Sequence, residues 1–498
     1  MEICFEKKCI DIFAERVHQL KSCTETVETV VPDTNDDIAR VASLRSMLLL
    51  KGKDISSGRV IITGELLAWL LYVSESGAVQ SVQLSQEFSI EYEADIMLDE
   101  KLSQVKLFVN AAETRVLNPR KVAVTFEICG ELRAYSREEM YVSAELRETP
   151  CMVYTKYAQH SASPIVCVTE KTFALTEQFT FPDGKPQPFA LLSQSVEHEI
   201  CDIQTIGSRA IIKGSVFVRL CYTAEGVDYP LTTEFSCPFS QLIDVPDTEV
   251  TGYAANIEIN GAYFSIIDTI NGAKAVNVEL HCLTELICYG SAEVRYISDM
   301  YCNTAELSYQ SERRTLPMGC ETRQVQLNFS ENIDAPEDCS DILAAFTQLS
   351  RSAAANGNLS AQCLVDIIYR TGDGGMSVMK RSFELEGDCP PSTQNILHMR
   401  IADTKLYPSG SSISVALSIE AACLCCSDCD VSAVISAELD ENNDTGFDAC
   451  PSLTLVRSEG ESPWLLAKTY RSSEELILAI NGEDCISTGE MLLIPKTK

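Results

Sequence analysis

Residues 210–223 read Ala210-Ile211-Ile212-Lys213-Gly214-Ser215-Val216-Phe217-Val218-Arg219-Leu220-Cys221-Tyr222-Thr223. Ile212, Gly214, Val216, Val218, Leu220 and Tyr222 take alternate positions, with Lys213, Ser215, Arg219 and Thr223 between them. Successive strand side chains point to opposite faces, so a period of two marks a half-buried strand. Ile211, Phe217 and Cys221 are apolar exceptions on the second face.

This pattern occurs three times. Val60 to Tyr72 is the first copy, and Leu359, Ala361, Cys363, Val365, Ile367 and Tyr369 repeat the inward set in the third, with Ser360, Gln362, Asp366 and Arg370 outward. The small residue that recurs (Gly64, Gly214, Ala361) implies close backbone approach or a bend. Two further anchors recur. One is Val31-Pro32-Asp33, Phe181-Pro182-Asp183 and Ala335-Pro336-Glu337; the other is a turn before a late strand at Asn118-Pro119-Arg120, Asn271-Gly272 and Pro408-Ser409-Gly410. Pro32 to Pro182, Gly64 to Gly214 and Tyr72 to Tyr222 are each 150 residues; the next steps are 154 (Pro182 to Pro336) and 147 (Tyr222 to Tyr369). A period that long is a whole domain and not a solenoid unit. Turn signals such as Ser76-Gly77 and Asp373-Gly374-Gly375 separate the strands.

The expected fold is therefore mainly β: three tandem β-sandwich-like repeats over 1–146, 147–310 and 311–440, then a small module over 451–498. Short helices are expected at Asp36–Leu49 and Asp341–Ser350, and linkers at Arg147–Lys171, Tyr301–Glu321 and Glu438–Pro451, the last carrying the break signal Asp440-Glu441-Asn442-Asn443-Asp444-Thr445-Gly446.

The chain has 498 residues, with 39 Lys+Arg against 72 Asp+Glu and a formal net charge of −33. That balance repels a phosphate polymer, so no nucleic-acid partner is expected, and it disfavours an anionic membrane surface. The first residues lack a basic stretch followed by an apolar run, and no run of about 20 apolar residues exists to span a membrane. A cytoplasmic protein is expected. Its 22 Cys sit mostly within apolar alternation, as at Cys129, Cys221, Cys282, Cys288 and Cys363, and read as reduced thiols used as small apolar residues.

Residues 453–496 read differently. Leu453-Thr454-Leu455-Val456 is a short strand, Ser462 caps a helix with Pro463 at its first position, and a second helix starts at Ser472 with Glu475 completing a capping box. Leu476, Ile477 and Ile480 form its apolar face, Asn481-Gly482 stops it, and Gly489 to Pro495 is a closing strand. The order is βααβ. With the Gly-x-Ser helix start, Trp464, Ala467, Tyr470, Asn481 and the tail Gly489-x-x-Leu492-Leu493-Ile494-Pro495, this segment resembles a LysM module. The helix start is Glu461-Ser462 where that family usually has Asp-Thr. The three repeats resemble the SPOCS domain of spore coat assembly proteins, most closely through Val30-Val31-Pro32-Asp33, Asp37-Ile38-Ala39-Arg40-Val41, the Gly64 to Val73 strand and Leu117-Asn118-Pro119-Arg120.

Three SPOCS-like domains followed by LysM is the layout of SipL-type spore coat assembly proteins of spore-forming anaerobes. The resemblance implies a non-enzymatic scaffold on the mother-cell side of the forespore surface. Its protein partner would be the coat morphogenetic ATPase, bound through the LysM-like module. The groove residues singled out are Gly460, Glu461, Ser462, Trp464, Asn481, Gly482 and Glu483. The alternative is a protein that binds peptidoglycan or N-acetylglucosamine chains through the same groove.

The remaining candidates for chemistry are few. Cys423-Leu424-Cys425-Cys426-Ser427-Asp428-Cys429 has Cys-x-x-Cys spacing in Cys426 and Cys429, and Cys423 with Cys425 would be the second pair of a zinc site. Strand alternation instead puts Cys423 and Cys425 on one face and Cys426 on the other. His18, His160, His198, His281 and His398 form no ligand or dyad spacing, and Gly372-Asp373-Gly374-Gly375 is a hairpin tip and not a phosphate loop. Acidic pairs such as Glu331/Asp334 and Glu337/Asp338 read as solvated loop charges. No catalytic residues, metal or cofactor are expected.

Overall fold

The computed structural model describes residues 1–56, 58–94, 102–181, 184–440, 447–482 and 488–497, with the backbone alone at 351. The Pro182-Asp183 anchor and most of the break signal, residues 441–446, lie outside them. The chain is mainly β, with two short helices among the described residues. Among the described residues, no helix is long and apolar enough to cross a membrane.

The first six strands are β1 (Phe5–Val30), β2 (Ile38–Ser56), β3 (Arg59–Ser74), β4 (Val79–Glu93), β5 (Ser103–Asn118) and β6 (Lys121–Leu146). β2, β3 and β4 form an antiparallel meander, while β6 pairs with β1 on one side and β5 on the other. After β7 (Val153–Ala162) come β8 (Ile165–Thr180), β9 (Pro188–Ile206), β10 (Arg209–Ala224), β11 (Leu231–Asp244), β12 (Val250–Asp268) and β13 (Lys274–Gly290). Their pairing has the same form: β9–β10–β11, and β13 between β8 and β12. β14 (Ala292–Cys302) returns to pair with β7. In the third stretch, β15 (Glu306–Ala355) and β18 (Thr393–Asp440) are long, bent strands around β16 (Asn358–Thr371) and β17 (Met376–Asp388). The first arm of β15 pairs with the second arm of β18, and the second arm of β15 leads the sheet through β16 to β17.

Both expected helices are strands: Asp36–Leu49 leads into β2, and Asp341–Ser350 lies in β15. Bulges explain the misreading. The β2 register slips between Ile38 and Arg40 and between Val41 and Ser43, and the β15 register slips after Cys339, Ile342 and Leu349. Each slip adds a residue to one strand, so a period of two becomes a mixture of twos and threes that imitates helical spacing. Two expected linkers are also strands, since 147–171 contains β7 and the start of β8, and 301–321 contains the start of β15.

The central strands β3, β10 and β16 bury one face completely and part of the other, while Thr63 and Lys213 on the second face stay exposed. On β3, Val60, Ile62, Leu66, Ala68, Leu70 and Tyr72 pack with β4, β5 and β6 in one core. The alternate Trp69, Leu71 and Val73 pack instead in the core of the second stretch, with Ile212, Val216 and Leu220 of β10 and with Ala344, Phe346 and Ile368 of the third. The apolar exceptions to strict alternation thus mark seams between the stretches. At this seam Arg45 donates to Thr347 O (2.7 Å), Arg40 to Ser377 Oγ (2.9 Å), Lys106 to Ile396 O (2.8 Å), and Arg400 bridges Glu199 and Glu420 at 3.1 and 2.5 Å. Each of the three stretches touches the other two.

The recurring small residue has a cause in packing. Gly64 lies directly opposite Phe88, Gly214 opposite Phe239, and Ala361 opposite Leu385. A Cβ on Gly64 would stand 2.3 Å from the Phe88 ring and 2.9 Å from Leu49 O. The glycine therefore seats the cross-strand ring, and where the partner is the smaller Leu385 an alanine fits. Eight residues on, Tyr72, Tyr222 and Tyr369 are fully buried. Gly64→Ala is expected to destabilise the chain by about 1–3 kcal/mol through overpacking. Adding Phe88→Leu, the pairing found at Ala361/Leu385, should restore part of that loss in a urea unfolding midpoint.

Candidate functional site

The C-terminal module comprises β19 (Leu453–Arg457), α1 (Pro463–Tyr470), α2 (Glu474–Asn481) and β20 (Met491–Pro495), with β19 and β20 antiparallel. Ser462 Oγ accepts from Leu465 N (3.3 Å), so α1 starts as the sequence implied, with Pro463 at its first position. The second helix starts one residue later than expected: Ser473 Oγ accepts from Leu476 N (3.3 Å). The Ser472 carbonyl is already taken, accepting from Tyr301 Oη (3.0 Å) and Asn303 Nδ2 (3.1 Å). Of the expected apolar face only Ile477 is buried; Leu476 and Ile480 are exposed.

The structure divides the seven groove candidates. Gly460, Glu461 and Ser462 form a loop beside Thr488, and Gly460 holds a φ of 97°, which suits glycine alone. Asn481 is consumed internally. Its amide donates to Ile477 O and Leu493 O and accepts from Leu493 N, each at 2.8 Å, tying α2 to β20. Gly482 ends the helix, donating to Leu478 O (2.8 Å). Glu483 lies outside the described residues.

Trp464 faces the body of the protein. Its indole Nε1 donates to Asp299 Oδ2 (2.8 Å) on β14, and its ring meets Tyr301 edge-on at 4.9 Å. Tyr301 stacks in turn on Tyr154 of β7, and belongs to the module's own core with Leu466, Ala467, Ile477, Leu492 and Ile494. Asp299 also accepts from Lys468 Nζ (2.6 Å) and Tyr309 Oη (2.7 Å). Burial alone would raise the Asp299 carboxyl, but these donors outweigh it and hold it below the usual range. Asp299, Tyr301 and Asn303 are missed by sequence reasoning because they lie more than 160 residues before Trp464. The available signal was the aromatic content, Tyr154 and Tyr157 in one segment and Tyr301 and Tyr309 in the other, of stretches taken for linkers.

With Trp464 turned inward, the outward face of the module is apolar. Leu453 and Leu455 of β19 and Met491 and Leu493 of β20 are exposed, and Leu455 lies directly opposite Leu493. Leu465 and Ile480 are exposed on the helices.

Several cavities lie at the seams. One, of about 450 Å³, is lined by Phe13, Tyr135, Tyr289, Leu316, Leu397 and Leu424. Its wall includes Cys320 and Cys426, which are disulfide-bonded with Cα atoms 4.2 Å apart. That bond departs from the reading of the cysteines as mostly reduced thiols, while Cys129, Cys221, Cys282, Cys288 and Cys363 are free; its partners are 106 residues apart and meet only when β15 pairs with β18. The four cysteines of 423–429 are thereby dispersed: Cys423 and Cys425 lie in the core of the third stretch, Cys426 is bonded, and Cys429 packs in another cluster. The second cavity, of about 400 Å³, is polar, with Arg45, Lys185, Arg219 and Glu234 among its lining. Arg219 is paired with Glu197 and Glu234, and burial pushes the neighbouring Cys221 thiol up to about 12. A thiol held protonated is a poor nucleophile.

Buried ionisable groups concentrate at the same seams. Lys53 Nζ donates to Ser103 O (3.0 Å) and lies 2.5 and 3.2 Å from carboxylate oxygens of Glu170 and Glu285. Burial alone would lower the Lys53 ammonium, but Glu285 and Glu170 outweigh it and raise it. His198 and His398 stand with rings 5.9 Å apart, and burial together with nearby positive charge lowers them to about 3 and about 4.

No family model, curated protein or solved structure matches this chain.

Asp299→Ala removes the acceptor for three side-chain donors at the joint, and for the backbone N–H of Met300. It is expected to raise hydrogen exchange in α1 and β14 while leaving β3, β10 and β16 protected, with about 2–4 kcal/mol lost from the docking of the module. The two histidines give a pH dependence. Both are neutral when folded and protonate near 6.5 when unfolded, so the unfolded state binds more protons between about pH 4 and 6.5 and stability falls as pH drops through that window. His398→Phe should flatten that fall by about 2 kcal/mol at pH 5, read from denaturant midpoints at pH 7 and pH 5.

Proposed function

We propose that the chain is a non-enzymatic scaffold of spore coat assembly, of the SipL type. In this reading it consists of three tandem β-sandwich-like repeats and a LysM-like module. The module docks the coat morphogenetic ATPase on the mother-cell side of the forespore surface. The observation that carries the reading is recurrence in depth. Gly64/Phe88, Gly214/Phe239 and Ala361/Leu385 occupy the same place in three meanders, and Tyr72, Tyr222 and Tyr369 follow each at the same distance. The βααβ order of the last 46 residues, numbered 453–498, supports the LysM-like assignment.

The same geometry favours a protein partner over a glycan. A sugar chain needs an aromatic face and free amide donors, whereas Trp464 is packed on Tyr301 and Asn481 has both ends of its amide bonded within the module. What remains outward is the apolar sheet face of Leu453, Leu455, Met491 and Leu493 beside the acidic loop Glu459–Glu461. Exposed apolar side chains grouped this way mark protein contacts.

The test is affinity capture of the coat ATPase by the full chain and by the double variant Leu455→Glu/Leu493→Glu. The variant is expected to lose at least ten-fold in recovery while keeping its thermal unfolding midpoint. Equal recovery overturns the docking surface. Sedimentation of the unaltered chain with purified peptidoglycan, together with no capture of the ATPase, transfers the reading to the glycan-binding alternative.

A further inference from the structure

The cross-strand disulfide has a counterpart. Sixteen residues beyond the turn residues Asn118, Gly272 and Gly410 stand Ala134, Cys288 and Cys426. Directly opposite them across the antiparallel ladder stand Val17, Cys167 and Cys320. Each of these pairs lies within two residues of a place where the first strand skips a residue in the ladder: Arg16 in β1, Val166 in β8 and Met318 in β15. One position is therefore filled three ways, by Val17/Ala134, by the thiols Cys167 and Cys288, and by the Cys320–Cys426 disulfide.

We propose that Cys167 and Cys288 are a second disulfide-forming site, which a low-molecular-weight disulfide such as glutathione disulfide oxidises as the chain folds. The position itself accepts the bond, because at its equivalent in the third stretch two directly opposed cysteines are already joined with Cα atoms 4.2 Å apart. That is close to the spacing of non-hydrogen-bonded facing residues in an antiparallel pair, about 4.5 Å, and just below the roughly 4.4–6.8 Å that disulfides usually span. Cys167 and Cys288 are both buried, and each thiol has the other as hydrogen-bond partner.

The exchange has two steps. The thiolate of one of the two cysteines attacks one sulfur of the external disulfide, forming a mixed disulfide and releasing one thiolate. The other cysteine then loses its proton and attacks the first cysteine's sulfur, expelling the second half of the reagent as a thiolate that takes up a proton. Two protein thiols are oxidised and one external disulfide is reduced to two thiols. Burial closes the folded pair to the reagent, so the bond forms during folding or during opening of the β8–β13 pair. Once made, it staples β8 to β13 as Cys320–Cys426 staples β15 to β18, restraining the second stretch as the third is already restrained.

The experiment uses the full chain. Reduced, unfolded protein is refolded in reduced and oxidised glutathione across a range of ratios, trapped by alkylation in denaturant, and mapped by mass spectrometry of linked peptides. The expected result includes both Cys320–Cys426 and Cys167–Cys288 among the linkages, alongside any formed by Cys151 and Cys302, whose sulfurs lie 3.2 Å apart, with a higher thermal midpoint for chains that carry Cys167–Cys288 than for those that lack it. Cys288→Ala should abolish the second linkage and the added midpoint shift, while keeping Cys320–Cys426 and the far-ultraviolet circular dichroism of the parent. Complete alkylation of Cys167 and Cys288 at ratios that link Cys320 to Cys426 overturns the proposal. So does linkage of either residue to some other cysteine in preference.

Discussion

The central strands of this protein carry apolar side chains on both faces, as at Trp69 and Leu71 opposite Leu70 and Tyr72, and much of the architecture follows from the need to cover the second set. β3 offers Tyr72 and Leu70 to its own core and Trp69 and Leu71 to a neighbour's. Buried apolar area is worth roughly 25 cal/mol per Å², so a stretch standing alone would leave the Trp69 face in water. Three stretches close on one another because each supplies the cover another lacks. Beads on flexible linkers could not do this, and the segments between the stretches are accordingly strands: β7 and β14 pair with each other.

Closing three sheets together also traps polar groups, and their placement shows how the seam is specified. Lys53 reaches from the first stretch to Glu170 and Glu285 of the second, and Arg400 of the third reaches Glu199. Buried pairs of this kind add little net stability, because desolvation offsets most of the attraction. Their effect is on alternatives. A shifted docking would leave Lys53 or Arg400 buried without a carboxylate, which costs several kcal/mol, so the apolar faces supply the attraction and the charges select the register.

The sequence made the strands legible where alternation ran unbroken, as from Ile212 to Tyr222, and concealed them where bulges broke it, as at Val41/Ser43 and Ile342/Ala344. Gly64 and Gly214 could be recognised as points of close approach, but the rings of Phe88 and Phe239 that fill the space could not, because pairing across the sheet is not written in local order. Ser462, Pro463 and Gly482 placed the helices of the module to within a residue. The direction of Trp464 depends on Asp299 and Tyr301, remote in sequence, and so does the difference between a groove residue and an anchor. The Cys320–Cys426 bond was hidden for the same reason, while the separation of Cys426 from Cys423 and Cys425 was not, since alternation alone puts them on opposite faces.

The anchoring of Trp464 has a consequence for how the module can act. A tethered binding domain searches for its partner on a flexible linker and contributes little orientation of its own. Here the Trp464 and Lys468 side chains converge on Asp299, and Tyr301 sits within the module's core. The apolar face of Leu455 and Leu493 is therefore held in a fixed direction relative to β14 and the long sheets behind it. A surface presented rigidly loses less entropy on binding than one that must first be ordered. Direction also becomes information: a partner bound to that face is placed at a set angle to the three stretches. In the proposed scaffold reading, that fixed angle is what would let the module order other proteins along a surface.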